Sequence, residues 1–147
     1  MDEFRVSSDP SELDFSVIYS FISTSYWAQG IPRETLQKAI DNSLCFGVYT
    51  QDNQQVGFAR LVTDKATFAY LADVFIDQAY RGKGLSKRLI EAVTMHPEVQ
   101  GLRRIVLATR DAHGLYQQFG FSPLDDPALF MQIVRPNIYQ KHPEEHG

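Results

Sequence analysis

The sequence predicts an α/β domain in which helices flank a mixed sheet. Three observations carry that reading. Segments of strand and helix character alternate along the chain instead of separating into two halves. The stretch from Val74 to Ile90 passes from an apolar strand, through the basic, glycine-flanked loop Arg81-Gly82-Lys83-Gly84, into an amphipathic helix. The run Ile105-Val106-Leu107-Ala108 is apolar throughout, as in a strand covered on both faces.

Taken in order, Phe4 to Ser7 reads as a short first strand. Between Asp14 and about Ser25, Phe15, Ile18, Tyr19 and Ile22 recur at helical spacing, with Ser11 or Asp14 as the cap. Pro32 opens a second helix that reaches about Asn42 and carries Leu36, Ala39 and Ile40 on one face. Residues 44–50 and 55–63 are strands joined by the hairpin signal Gln51-Asp52-Asn53-Gln54. A third strand spans Thr67 to Ile76, after the polar turn at Asp64-Lys65. The helix beyond the glycine loop presents Leu85, Leu89, Ile90 and Val93 to a core and stops before Pro97. Arg103 to Thr109 is the next strand, and a short helix near 112–119 ends at Gly120, a C-cap residue. Phe130 to Arg135 is expected to form a last strand. The domain is expected to span residues 1–140, with the polar stretch 141–147 as a flexible tail.

A chain of 147 residues suffices for one domain with a real core. Its net charge of −4 argues against a nucleic-acid binder that works by bulk electrostatics, so the cations at 81–88 are a local feature. The single cysteine, Cys45, excludes an internal disulfide, fits a reducing compartment, and in the setting Leu44-Cys45-Phe46 suggests a buried strand thiol. No apolar run approaches the roughly 20 residues of a membrane span. Nor does Met1-Asp2-Glu3-Phe4-Arg5 show a signal-peptide pattern. A cytoplasmic protein without membrane association is expected, as a monomer or homodimer. His96, His113, His142 and His146 lack zinc-like spacing, so no metal site is expected.

The loop at 81–86 has the form of an anion site. A helix N-terminus turns several backbone N–H groups toward one point and carries partial positive charge. Gly82 and Gly84 place no Cβ in the way of a ligand, while Arg81, Lys83, Lys87 and Arg88 add cations. A dinucleotide-binding turn would need a third glycine where Lys87 stands, and a P-loop would need Gly-Lys followed by Ser or Thr. Both patterns are absent.

Two motifs together point further. Arg81-Gly82-Lys83-Gly84-Leu85-Ser86 resembles the pyrophosphate loop of the GNAT acetyltransferases, whose pattern is Arg or Gln, two residues, Gly, one residue, then Gly or Ala; Ser86 holds the last position here. Ala112-His113-Gly114-Leu115-Tyr116-Gln117-Gln118-Phe119-Gly120-Phe121 is similar to the family's second signature, Ala-x-x-Leu-Tyr-x-x-x-Gly-Phe. Thr109 stands where an asparagine often precedes that signature. The resemblance covers roughly residues 44–124. It implies a single-domain GNAT-like fold with a mixed, mostly antiparallel twisted sheet, and an N-acetyltransferase that uses acetyl-CoA as acyl donor. By resemblance, Arg81, Gly82, Lys83, Gly84, Leu85 and Ser86 bind the pyrophosphate, with Lys87 or Arg88 near the nucleotide phosphate. The backbone of Val74 and Ile76 aligns pantetheine, and a bulge in that strand would free its groups from ladder pairing. The acceptor expected is a primary amine of a small molecule or peptide, with no nucleic-acid partner. A non-catalytic acyl-CoA-binding module, or an acetyltransferase for protein N-termini or aminoacyl-tRNA, remains an alternative.

Individual residues stay open between chemistry and packing. Tyr116 is either the general acid that protonates the departing thiolate or a core aromatic beside Phe119. Strand alternation places Leu71, Asp73 and Phe75 on one face, where a carboxylate between apolar neighbours is costly to bury as an anion and suited to take a proton. Asp73 is thus a candidate base acting through water, or a hydrogen-bonded structural aspartate. Tyr26, Trp27 and Arg33 either border the acceptor pocket or pack between the first two helices; Phe68 and Tyr70 either line the same cavity or belong to the core.

Overall fold

The computed structural model describes residues 3–140 of the chain, so the expected tail at 141–147 lies outside the described residues. Five strands form one sheet in the order β1 (Phe4–Ser7), β2 (Leu44–Thr50), β3 (Gln55–Thr63), β4 (Phe68–Ile76) and β5 (Arg104–Leu107). The first four pair antiparallel through adjacent connections, and β5 joins β4 in parallel. That last pairing requires a crossover, supplied by α3 (Leu85–Met95). The helices α1 (Phe15–Ile22) and α2 (Arg33–Asp41) precede β2, and α4 (His113–Gln117) follows β5.

The apolar periodicities bury where they predicted. Leu85, Leu89, Ile90 and Val93 of α3 pack on one sheet face with Phe46, Val48, Val56, Ala59, Leu61 and Leu71, a cluster that also takes in Tyr116 of α4. On the other face, Ile18 and Ile22 of α1 meet Leu36 and Ile40 of α2 over Cys45, Phe58 and Phe75. Asp14 caps α1 by accepting from the Val17 N–H at 3.3 Å. Buried Gln55 ties that helix start to β3: it accepts from the Asp14 N–H at 2.7 Å and donates to the Gly57 carbonyl at 3.0 Å. The β3–β4 turn is closed by Asp64, whose carboxylate accepts from the backbone of Thr67, Ala66 and Phe68 and from the Thr67 hydroxyl. Those bonds, the Thr67 backbone bond foremost, hold its carboxyl well below the usual range.

One expected element is missing. Residues 130–135 form no strand; Phe130, Met131, Ile133 and Val134 are exposed and the backbone is irregular. The β-branched and aromatic composition is there, but a strand exists only with a partner, and this segment pairs with none of the sheet's strands. Gly120 does end α4 in the left-handed region, with φ +94°.

Cys45 is buried, its Sγ facing the Ile40 carbonyl at 3.7 Å, and burial pushes its thiol up to about 12. At pH 8 the thiolate fraction is then on the order of 10⁻⁴. A disulfide reagent at pH 8 should therefore label the native protein no faster than it unfolds, and at stoichiometric speed in denaturant. Rapid labelling of the native chain would show an accessible thiol.

Candidate active site

The centre of β4 breaks the ladder. Gly57 pairs with Ile76 and Phe58 with Phe75, but Arg60 pairs with Ala72, so Ala59 alone faces two residues, Asp73 and Val74. This is a β-bulge, and Asp73 occupies the left-handed region at φ +55°, unusual for a side chain other than glycine. The extra residue reverses the alternation beyond it. Ala69 and Leu71 before the bulge, and Val74 and Ile76 after it, all face the α3 side, whereas Phe75 packs with α1. The alternation read from the sequence, with Leu71 and Phe75 on one face, is thereby corrected.

On the other side of β4, pairing with β5 runs from Phe68–Arg104 to Leu71–Leu107 and stops. The two strands diverge, and a cleft of about 680 Å³ opens between them. Its walls include Tyr26, Trp27, Asp73, Val74, Tyr116 and Arg60, with Tyr70 beside them. The structure thus brings together six of the candidates singled out in the sequence, Tyr26, Trp27, Tyr70, Asp73, Val74 and Tyr116. Ile76 and the loop 81–86 do not line the cleft; they continue from it along β4 toward the start of α3. Arg33 is elsewhere, stacked on Phe15 and Tyr19 of α1 at 5.1 and 4.7 Å.

Asp73 is not an unpaired carboxylate among apolar neighbours. Its Oδ1 accepts from the Trp27 indole N–H at 2.7 Å and its Oδ2 from the Arg60 guanidinium at 2.8 Å. Arg60 also donates to the Ser43 hydroxyl at 3.2 Å. The Arg60 and Asp73 side chains are 18% and 6% exposed, so this is a nearly dry ion pair and not a solvated surface contact. Arg60 was missed from sequence, although a lone cation inside Phe58-Ala59-Arg60-Leu61 signals a buried partner. Arg110, also unforeseen, stacks on the half-exposed Tyr26 ring at 3.9 Å.

Tyr116 sits in the cleft wall, 8% exposed, with Phe121 edge-on to its ring at 5.7 Å in place of the expected Phe119. Burial raises its phenol above the ordinary value. Thr109 accepts from the Ala112 N–H at 3.1 Å, so its hydroxyl sets the entry to α4.

The loop has the geometry of an anion cradle. Gly82 and Gly84 have φ of +82° and +76°, and a Cβ at either would meet no atom within 4 Å, so the residues are glycines for conformation and not for internal crowding. Gly84 caps α3 without any side-chain hydrogen bond, which leaves the first-turn N–H groups directed outward. Two of the nearby cations are already engaged: Arg81 of the loop donates to the Ile76 carbonyl at 3.1 Å, and Arg88 of α3 to the Phe4 carbonyl at 3.0 Å. Among the described residues, no group of His, Cys, Asp and Glu is arranged to hold a metal ion. Nor is any described helix long and apolar enough to cross a membrane.

Comparison with known proteins gives a consistent picture. The acetyltransferase (GNAT) domain family matches residues 41–123. A Gibberella zeae protein named as a putative acetyltransferase is 30% identical over 136 residues, spanning 78% of this chain and 76% of that one. A crystal structure of a GNAT-family protein from Xanthomonas campestris is 48% identical, covers 96% of this chain and 99% of its own, and superposes with a TM-score of 0.91. A GNAT acetyltransferase from Elizabethkingia anophelis, solved with acetyl-CoA bound, shares the fold at 13% identity and a TM-score of 0.64, covering 85% of this chain and 80% of its own.

Removing one partner of the dry pair leaves the other charge buried. Arg60→Met should therefore lower unfolding free energy by roughly 2–5 kcal/mol, and Asp73→Asn added to it should restore much of the loss. Denaturant titrations of the two single variants and the double give the coupling directly. Additive losses would show that the two residues do not act as a unit.

Proposed function

This chain belongs to the GNAT acetyltransferase family, and we propose that it carries the acetyl group of acetyl-CoA to a primary amine of a small molecule or peptide. The observation that supports this best is the continuity of the cleft with the loop. Along one strand, the bulged backbone at Val74 leads from Asp73 and Tyr116 to an uncapped helix N-terminus that suits a pyrophosphate.

In this reading the backbone of Val74 and Ile76 aligns the pantetheine arm. The N–H groups of Gly82 to Ser86 hold the pyrophosphate, with Arg81 and Lys83 flanking it and Leu85 anchoring the loop in the core. Lys87 lies toward the nucleotide phosphate. The amine enters beside Tyr26 and Trp27 and attacks the thioester carbonyl: a C–N bond forms, the C–S bond breaks, and the electron pair leaves on sulfur. The amine's proton passes through water toward Asp73, whose carboxylate Arg60 and Trp27 hold in place. Tyr116 gives its proton to the thiolate. A phenol of pKa near ~10 can protonate a leaving thiolate of pKa near ~8.5 only if it is held at the sulfur, because its own acidity does not favour the transfer. Burial keeps Tyr116 protonated at neutral pH and above. No covalent acyl-enzyme is needed, since holding amine and thioester together supplies much of the rate.

Acetyl-CoA turnover against a panel of amines, read as free thiol, tests the reading; binding without turnover on any amine would contradict it. With an acceptor in hand, Tyr116→Phe should lower kcat by about 10²–10⁴ and leave the KM for acetyl-CoA nearly unchanged. Because the folded phenol titrates above its ordinary value, the rate loss caused by its ionisation should lie above pH ~10 and vanish in the Phe variant. An unchanged kcat would reduce Tyr116 to packing.

A further inference from the structure

The acceptor is the least specified part of the proposed reaction, and the charges of the cleft constrain it. Besides Arg60 and Asp73, two charged residues line the cleft, Arg110 and Asp111, both exposed and both between β5 and α4. Arg110 reaches Tyr26 of the α1–α2 connection, its guanidinium carbon 3.9 Å from the ring centroid. Among the described residues, ion pairs join Arg5 to Glu12, Arg60 to Asp73 and Lys65 to Glu98, and no carboxylate pairs with Arg110. The ring contact takes up a face of the guanidinium and leaves its in-plane N–H fork for a ligand. Such a fork matches a carboxylate through two parallel N–H···O bonds. A stacked side chain also has less freedom to lose when an anion docks on it.

The other charges decide which kind of anion. Asp73 accepts from Trp27 through one oxygen and from Arg60 through the other, so its charge is already matched. Asp111 follows Arg110 directly, and a dianion such as a phosphate ester or a dicarboxylate would meet repulsion beside the cation it seeks. The second ammonium of a polyamine would meet Arg110 itself. Arg60, Asp73, Arg110 and Asp111 together sum to zero, a field suited to a guest with one charge of each sign. The remaining wall is aromatic. Tyr26, Trp27 and Tyr70 are exposed, and the rings of Tyr26 and Trp27 stand at 84° with centroids 5.0 Å apart, faces that can cover an apolar side chain.

We propose that the acceptor is an amino-acid-type zwitterion, a small primary amine that bears one carboxylate on an apolar body, and that Arg110 grips this carboxylate. The inference rests on the acyl transfer proposed above, with the cleft as the acceptor site. Arg110 is then the residue that sets acceptor specificity.

Trp27 is the chain's single tryptophan, so its fluorescence reports binding in the cleft with no acetyl group present. L-Phenylalanine and phenethylamine differ by one carboxylate, as do L-leucine and isoamylamine. Each is titrated into the full chain, alone and with CoA. The amino acid of each pair should bind about 10- to 100-fold more tightly, the worth of hydrogen bonds to a charged group. Arg110→Gln should make the members of a pair nearly equal by weakening the amino acid. Arg110→Lys keeps the charge without the fork and should fall between. An arginine that only packs on Tyr26 would, when replaced, shift both members alike. Equal affinities within the wild-type pairs would overturn the proposal, as would tighter binding of spermidine than of either amino acid. So would no response to either amino acid at about 10 mM, or a pair difference that survives Arg110→Gln. Amino-acid binding of the expected kind without turnover would support the carboxylate site and contradict acetyl transfer instead.

Discussion

The site rests on one extra residue in β4. Inserting Asp73 against Ala59 shifts the register by one, and each later side chain changes face. Val74 and Ile76 then join the α3 core while Phe75 stacks on Phe21 at 4.0 Å in the opposite layer. The same bend carries β4 away from β5 after Leu71, which opens the cleft. A left-handed aspartate costs on the order of 1–3 kcal/mol. Two hydrogen bonds to its charged carboxylate, from Trp27 and Arg60, are together worth roughly as much or more. The conformation is therefore held by the residues that surround the cleft, and the geometry of the site and the local stability of the sheet have a common cause.

Electrostatics divide along similar lines. The chain is acidic as a whole, at −4, yet the loop before α3 and the first turn of that helix gather four cations within eight residues, 81–88. Arg81 and Arg88 spend hydrogen bonds on the backbone of Ile76 and Phe4, which fastens the loop to β4 and α3 to β1. In the proposed reading, anion recognition at this point therefore falls mainly to the N–H groups behind Gly82 and Gly84. A backbone cradle of this kind is set by conformation and is less sensitive to salt than a patch of exposed lysines.

Much of this was legible in the sequence because short-range physics decides it. The apolar spacing of Leu85, Leu89, Ile90 and Val93 selects one helix face whatever the partner, and glycine at 82 and 84 permits the open, positive-φ turn that the loop adopts. The bulge was harder to see. Apart from Asp73, residues 69–76 carry apolar or aromatic side chains at both alternating sets of positions, so a one-residue slip leaves no mark in the pattern. Arg60 illustrates the same limit: its charge announces a partner, but pairing with Asp73 across thirteen residues depends on the register of two strands. The expected strand at 130–135 failed for the converse reason. Its composition suits a strand, but β-structure needs a neighbour, and composition cannot supply one.

The central claim is that donor binding lies on the bulged half of β4 and the start of α3. Hydrogen exchange with and without acetyl-CoA measures it most directly. The account predicts slowed exchange at the amides of 73–77 and 82–87, and little change along β1 and β2. Protection confined to other strands, or none at saturating acetyl-CoA, would contradict it.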